Sequence, residues 1–186
     1  LRAARWMLAE ASTDNSIRTA QWDCSCAFLH GAIDRDIYMD QPEGFVVEGS
    51  EDKVCHLLKA IYGTKQASHL FYNKVKSELL TLPNTISGLS VTQSPADDCV
   101  YILRYENQWL KILTHVDDFL VTYNDRLTYD RIFQAISTRF KITDYGGGAA
   151  TKFCGVRINQ REDGAYLLDQ ELYIKEVLER LGLCDC

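Results

Sequence analysis

The chain has 186 residues, with 20 Lys and Arg against 26 Asp and Glu, a net charge of −6. With 46% of residues hydrophobic, it is long enough for one domain or a large piece of one, and disorder and fibrous repeats are excluded. The acidic balance offers no general attraction to phosphate, so any nucleic-acid role must come from local patches.

No apolar run approaches the ~20 residues a membrane helix needs, and Arg2, Arg5 and Glu10 break the N-terminal stretch before a signal-peptide core forms. The expectation is an intracellular protein, cytosolic or nuclear, with no membrane contact. Seven cysteines lack the paired spacing of a disulfide framework, which fits reduced thiols. Leu1 in place of a start methionine suggests a piece cut from a longer product.

Taken in chain order, residues 1–13 carry Ala4, Met7, Leu8 and Ala11 at helical spacing, and Asp14-Asn15-Ser16 stops that helix. From Ile17 the sequence reads as a strand ending near Asp23. DIYMDQPEGFVV and KVCHLLKAIYG predict two short antiparallel strands across a Pro-Glu-Gly turn, followed by a helix from about Gln66 to Leu80. Residues 82–96, rich in Ser, Thr, Gly and Pro, read as an exposed loop. CVYILRY, QWLKILTHV and FLVTY form a three-strand meander, and a helix follows over 125–140. Gly146-Gly147-Gly148 lacks the spacing of a phosphate loop and reads as a flexible connection. FCGVRI and AYLL are strands, and a last helix starts near Asp169. Helices mixed with hairpin strands indicate an α+β fold with a largely antiparallel sheet.

The strongest chemical feature is THVDDFLV, where Asp117 and Asp118 are flanked on both sides by β-forming apolar residues. Adjacent residues of a regular strand face opposite ways, so the two acids converge only at a tight turn. Burying unpaired carboxylates is costly, and bound cations remove the penalty. Mg²⁺ takes oxygen ligands and often completes its shell with waters and substrate phosphates; two such ions together serve phosphoryl transfer. Asp23, also at the end of an apolar strand, is the candidate third acid. Asp97-Asp98 sits in a polar loop and reads as solvated turn chemistry or a strand cap. Cys24, Cys26 and His30 lack the second half of a zinc site, and both thiols read as buried.

In order along the chain, WDCSCAFLHG, IYMDQPEGFV, KVCHLLKAIYGTKQAS, CVYIL and LTHVDDFLV resemble the reverse transcriptase blocks of Ty1/copia-type retrotransposons, and the tail from FCGVRI also fits. The resemblance implies a right-hand polymerase palm with partial fingers and, at about 150–186, the palm end and thumb start. It implies RNA-directed DNA synthesis on a primer 3′-OH with two Mg²⁺ ions, Mn²⁺ being an alternative. Asp23 and Asp117 take the places of the direct metal ligands and Asp118 that of a supporting acid. Phe28 matches the bulky residue that excludes a ribose 2′-OH. Tyr62, Gly63 and Gln66 match the nucleotide-side block, and Lys65 and His115 face template and primer. The implied partners are an RNA template, a DNA primer, deoxynucleoside triphosphates and the missing fingers and RNase H portions of a polyprotein, in a virus-like particle or the nucleus.

A competing expectation is a palm that folds without polymerising. The chain begins after the family's Lys- and Arg-rich fingers segment, ends before any RNase H portion, and has His115 where the family carries Tyr. A third expectation, a metal-dependent phosphodiester hydrolase, would use His115 as its base.

Overall fold

The computed structural model describes residues 1–145 and 149–183. The chain divides into two compact units, one formed by residues 1–25 and 78–186 and the other by residues 26–77. The fold is mixed α/β with antiparallel sheets, as the hairpin-rich sequence predicts.

The larger unit is built on a six-stranded sheet. Its strands are β1 (Arg18–Cys24), β4 (Leu89–Gln93), β5 (Val100–Tyr105), β6 (Gln108–His115), β7 (Asp118–Tyr123) and β8 (Ile142–Asp144), in the order β4-β5-β6-β7-β1-β8. All pair antiparallel, so β1 is slotted between the meander's last strand and the short β8. Two-residue alternation gives this sheet two different faces. On one face, helix α1 (Arg2–Thr13) lays Ala4, Met7 and Leu8 on Val100, Leu113 and Leu120, together with Phe153 and Ile158. On the other, helix α3 (Arg126–Ser137) covers Trp22, whose ring centroid lies 5.7 Å from that of Tyr129 and 5.4 Å from that of Phe133.

A buried cation pins α1 to the sheet. Lys111 on β6 lies 4.5 Å from the ring centroids of both Trp6 and Trp109 and pairs with Glu10. At the far end of α3, Arg139 donates to the Glu78 carbonyl and carboxylate and to the Thr81 and Thr85 hydroxyls. A separate sheet, β9 (Lys152–Phe153), β10 (Val156–Gln160) and β11 (Tyr166–Asp169), precedes helix α4 (Glu171–Leu181).

The smaller unit has little regular structure before its helix. Strands β2 (Tyr38–Met39) and β3 (Cys55–His56) are only two residues each, and α2 (Ala67–Leu80) follows. Gln41 ties the intervening loop together. It donates to the Ser50 and Lys53 carbonyls and accepts from the Val47 amide.

Three readings of the sequence need correction. Residues 82–96 are not wholly loop, because Leu89 to Gln93 alternates buried and exposed side chains as β4. FCGVRI is not one strand; a Cys154-Gly155 turn with φ of 49° and 75° at its two residues separates β9 from β10, the pattern of a tight primed hairpin turn. Cys26 is exposed rather than buried, because the chain leaves β1 there with a left-handed φ of 55°. Gly146-Gly147-Gly148 lies outside the described residues.

Candidate active site

Local sequence explains why the acid pair sits in a turn. β6 and β7 are apolar and pair through His115 and Asp118, leaving Val116 and Asp117 as a two-residue connection. Val116 has φ 53°. A β-branched side chain is disfavoured in this region, at a cost of order 1–3 kcal/mol, and such strain clusters at functional sites. The turn lets two successive acids escape the opposed faces a regular strand would impose.

The turn is tied to β1 by its backbone, since the Cys24 amide donates to the Asp117 carbonyl at 2.8 Å. Asp118 stands opposite Asp23 on β1 and opposite His115 on β6, while Asp23 stands opposite Thr143 on β8. His115, Asp118, Asp23 and Thr143 therefore form a row across four neighbouring strands. Directly opposed residues share a face, with Cβ atoms ~4.5–5.5 Å apart. This is the α1 face, where Gln21, two residues from Asp23, accepts from the Lys152 amide.

Asp23 senses the other two carboxylates. Burial pushes the Asp23 carboxyl up from its usual range, and the charges of Asp117 and Asp118 push it further. Asp118 is also held from outside the sheet, accepting at Oδ2 from the Cys154 amide at 3.1 Å. The Cys154 thiol is pushed up to about 11, first by burial and then by the charge of Asp118. That keeps it protonated near neutral pH.

Among the described residues, no three or more His, Cys, Asp or Glu side chains form a group that could hold a metal ion. A closed cage is not what Mg²⁺ requires, because that ion keeps several waters and takes one or two carboxylates with substrate phosphates. Asp23, Asp117 and Asp118 offer oxygen donors only, the chemistry a hard cation prefers, without forming such a group of three in this structure. Cys24 is buried on β1 and Cys26 is exposed, and neither belongs to a metal-holding group among the described residues.

Phe28, Tyr62, Gly63, Lys65 and Gln66 belong to the smaller unit. Phe28 lies in a one-turn 3-10 helix, Ala27–His30, and packs edge to face against Tyr62 with ring centroids 4.5 Å apart. Tyr62 is exposed, and Gly63 follows with φ +96° and open space where a Cβ would point. Lys65 is exposed. Gln66 is half-buried, and its Nε2 is a buried donor with no partner among the described residues. His115 is exposed at the end of β6, its ring edge-on to Phe153 at 6.5 Å. The Cys154 amide is the residue-level contribution that sequence reading missed. Its signal was a Gly inside an apparent strand, which marks a turn or bulge.

Among the described residues, no helix is long and apolar enough to cross a membrane. A family model described as reverse transcriptase (RNA-dependent DNA polymerase) matches residues 1–186. The chain is 35% identical over 169 residues to the retrovirus-related Pol polyprotein from transposon TNT 1-94 of Nicotiana tabacum, covering 90% of this chain and 12% of that protein. It is 31% identical over 172 residues to the retrovirus-related Pol polyprotein from transposon RE2 of Arabidopsis thaliana, covering 92% of this chain and 11% of that protein. It is also 30% identical over 152 residues to the putative transposon Ty5-1 protein YCL074W of Saccharomyces cerevisiae, covering 82% of this chain and 46% of that protein. The chain thus spans from about a tenth to under half the length of these relatives. With the family model matching residues 1–186 and these transposon relatives beside it, the chain belongs to the reverse transcriptase family, in its Ty1/copia-type branch.

Proposed function

We propose that this chain is the catalytic core of an RNA-directed DNA polymerase that adds deoxynucleotides to a primer 3′-OH. The observation that carries the reading is the opposition of Asp23 and Asp118 beside the strained Asp117 turn. In this reading the six-stranded sheet is the palm, residues 26–77 are part of the fingers, and α4 begins the thumb.

Asp23 and Asp117 would hold two Mg²⁺ ions, or Mn²⁺, with Asp118 in support. The division of roles is supported by the contacts: Asp118 spends one oxygen on the Cys154 amide, while no hydrogen bond or ion pair is described for the side chains of Asp23 and Asp117. Bound cations supply neutralisation of the attacking and leaving oxygens in phosphoryl transfer. The protein's part is positioning. The row of strand partners sets Asp23 and Asp118 on one face of the sheet, the face against which α1 packs.

Phe28, braced by Tyr62, is assigned the discrimination against a 2′-OH, since a ring fills the volume an extra hydroxyl needs. Gly63 permits close backbone approach, and Gln66 carries a donor whose burial without a partner costs about 1–3 kcal/mol until an acceptor meets it. Lys65 and His115 are assigned to the phosphates and primer end. The implied partners are an RNA template, a DNA primer, deoxynucleoside triphosphates and further segments of a Pol polyprotein, inside a virus-like particle or the nucleus.

The test is primer extension on RNA and DNA templates with Mg²⁺ or Mn²⁺. Template-dependent addition of deoxynucleotides supports the reading. Cleavage of the template without extension moves the site to hydrolysis, and a folded chain that does neither is a palm without polymerase activity.

A further inference from the structure

Strand alternation puts Asp23 on the α1 face of β1 and the preceding Trp22 on the α3 face. Trp22 is fully buried, and its indole N–H donates to the Tyr129 hydroxyl at 2.8 Å. That hydroxyl donates in turn to Asp144 Oδ2 at 2.6 Å. Asp144 is the β8 residue directly opposite Trp22. A single phenol from α3 therefore joins the two strands that meet immediately beneath Asp23.

This connection falls where the sheet needs it. β8 is an outermost strand of three residues and has few backbone bonds with which to hold β1 in register. On its other side β1 is anchored along six residue pairs with β7. The phenol's one proton is committed to Asp144 and its oxygen to Trp22, and burial raises the hydroxyl's pKa, so the relay stays protonated at neutral pH.

We propose that Tyr129 is a positioning residue for Asp23: by fixing Trp22 and Asp144 to each other through its hydroxyl, it sets the direction in which the end of β1 presents the Asp23 carboxylate. The proposal rests on the reading of Asp23 as a cation ligand. Tyr129→Phe is the informative change, because the ring keeps its stacking on Tyr123 and Phe133 while the hydroxyl is lost.

The experiment titrates the whole chain with Mn²⁺ and reads free Mn²⁺ by electron paramagnetic resonance, for the wild type, Tyr129→Phe, Trp22→Phe, Asp23→Asn and Asp125→Ala. Asp125→Ala removes the N-cap of the same helix and controls for general destabilisation of α3. The expected result is Mn²⁺ affinity about 10-fold weaker in Tyr129→Phe and Trp22→Phe, the range for groups that orient a ligand from behind. Asp23→Asn should weaken binding more, and Asp125→Ala should leave it unchanged. Tyr129→Phe binding as tightly as the wild type overturns the positioning role alone, as does an equal loss in Asp125→Ala. A wild type that binds no Mn²⁺, or an Asp23→Asn chain that binds normally, overturns the cation reading and the proposal with it.

Discussion

Asp23 and Asp118 face each other across β1 and β7, although the helix α2, the smaller unit and the β4–β6 strands all intervene in the sequence. Two like charges are thereby held together by strand register, with a third from Asp117 at the turn beside them.

The first expectation concerns catalysis. Asp117→Asn keeps the size of the side chain and the backbone carbonyl that receives the Cys24 amide, so the turn persists. Primer extension should fall by at least about 100-fold, the scale seen when one preorganised charged contact is removed. Incorporation at the wild-type rate would remove Asp117 from the machinery.

Asp23→Asn should separate stability from activity. Because burial and then the charges of Asp117 and Asp118 raise the Asp23 carboxyl above its unfolded value, its ionised form is disfavoured in the fold. Its favourable contribution is present at pH below the unfolded value and disappears as pH rises through the raised folded one. Without divalent cations, Asp23→Asn should melt higher than the wild type at neutral pH. The difference should close as the pH falls and Asp23 protonates in both states. Melting curves across pH check this, alongside loss of extension.

Lys111→Met should loosen α1. The substitution keeps a long apolar stem but removes the charge between Trp6 and Trp109 and leaves Glu10 without its partner. A loss of about 2 kcal/mol in urea unfolding is expected, combining cation–π attraction with the cost of breaking a largely buried pair.

At α3, Asp125 accepts from the Thr128 amide at 2.7 Å, and that bond holds its carboxyl below the usual range. Asp125→Ala should cost about 1 kcal/mol. A lowered carboxyl contributes fully above its unfolded value and loses its contribution as pH falls through the folded one. The gap between the two proteins should therefore narrow under acid conditions, as equilibrium unfolding at several pH values would reveal.

Much of the candidate site was readable without coordinates because its signals are local. THVDDFLV places two acids among residues that have no reason to tolerate them in a strand interior, and Asp23 ends an apolar run. Asp97, in a polar setting, makes local turn chemistry of the kind its surroundings suggested, accepting from the Cys99 amide two residues on. What was not readable depends on partners distant in sequence. The Ser- and Thr-rich composition of residues 89–93 hides a strand that exists because β5 is there to pair with it. The short helix that carries Phe28 was likewise not legible, since it follows from the left-handed backbone at Cys26. No local pattern announces that the Cys154 amide reaches Asp118, since that bond joins two sheets.

That last bond also imposes an order of birth. During synthesis every acid of the row leaves the ribosome before the amide that orients one of them, and the six-stranded sheet has all its strands before the β9–β10 turn exists. A nascent chain halted between residues 144 and 154 would carry the full charge of the site with Asp118 unmoored. The orientation of Asp118 is thus completed late, by a peptide group with no chemistry of its own.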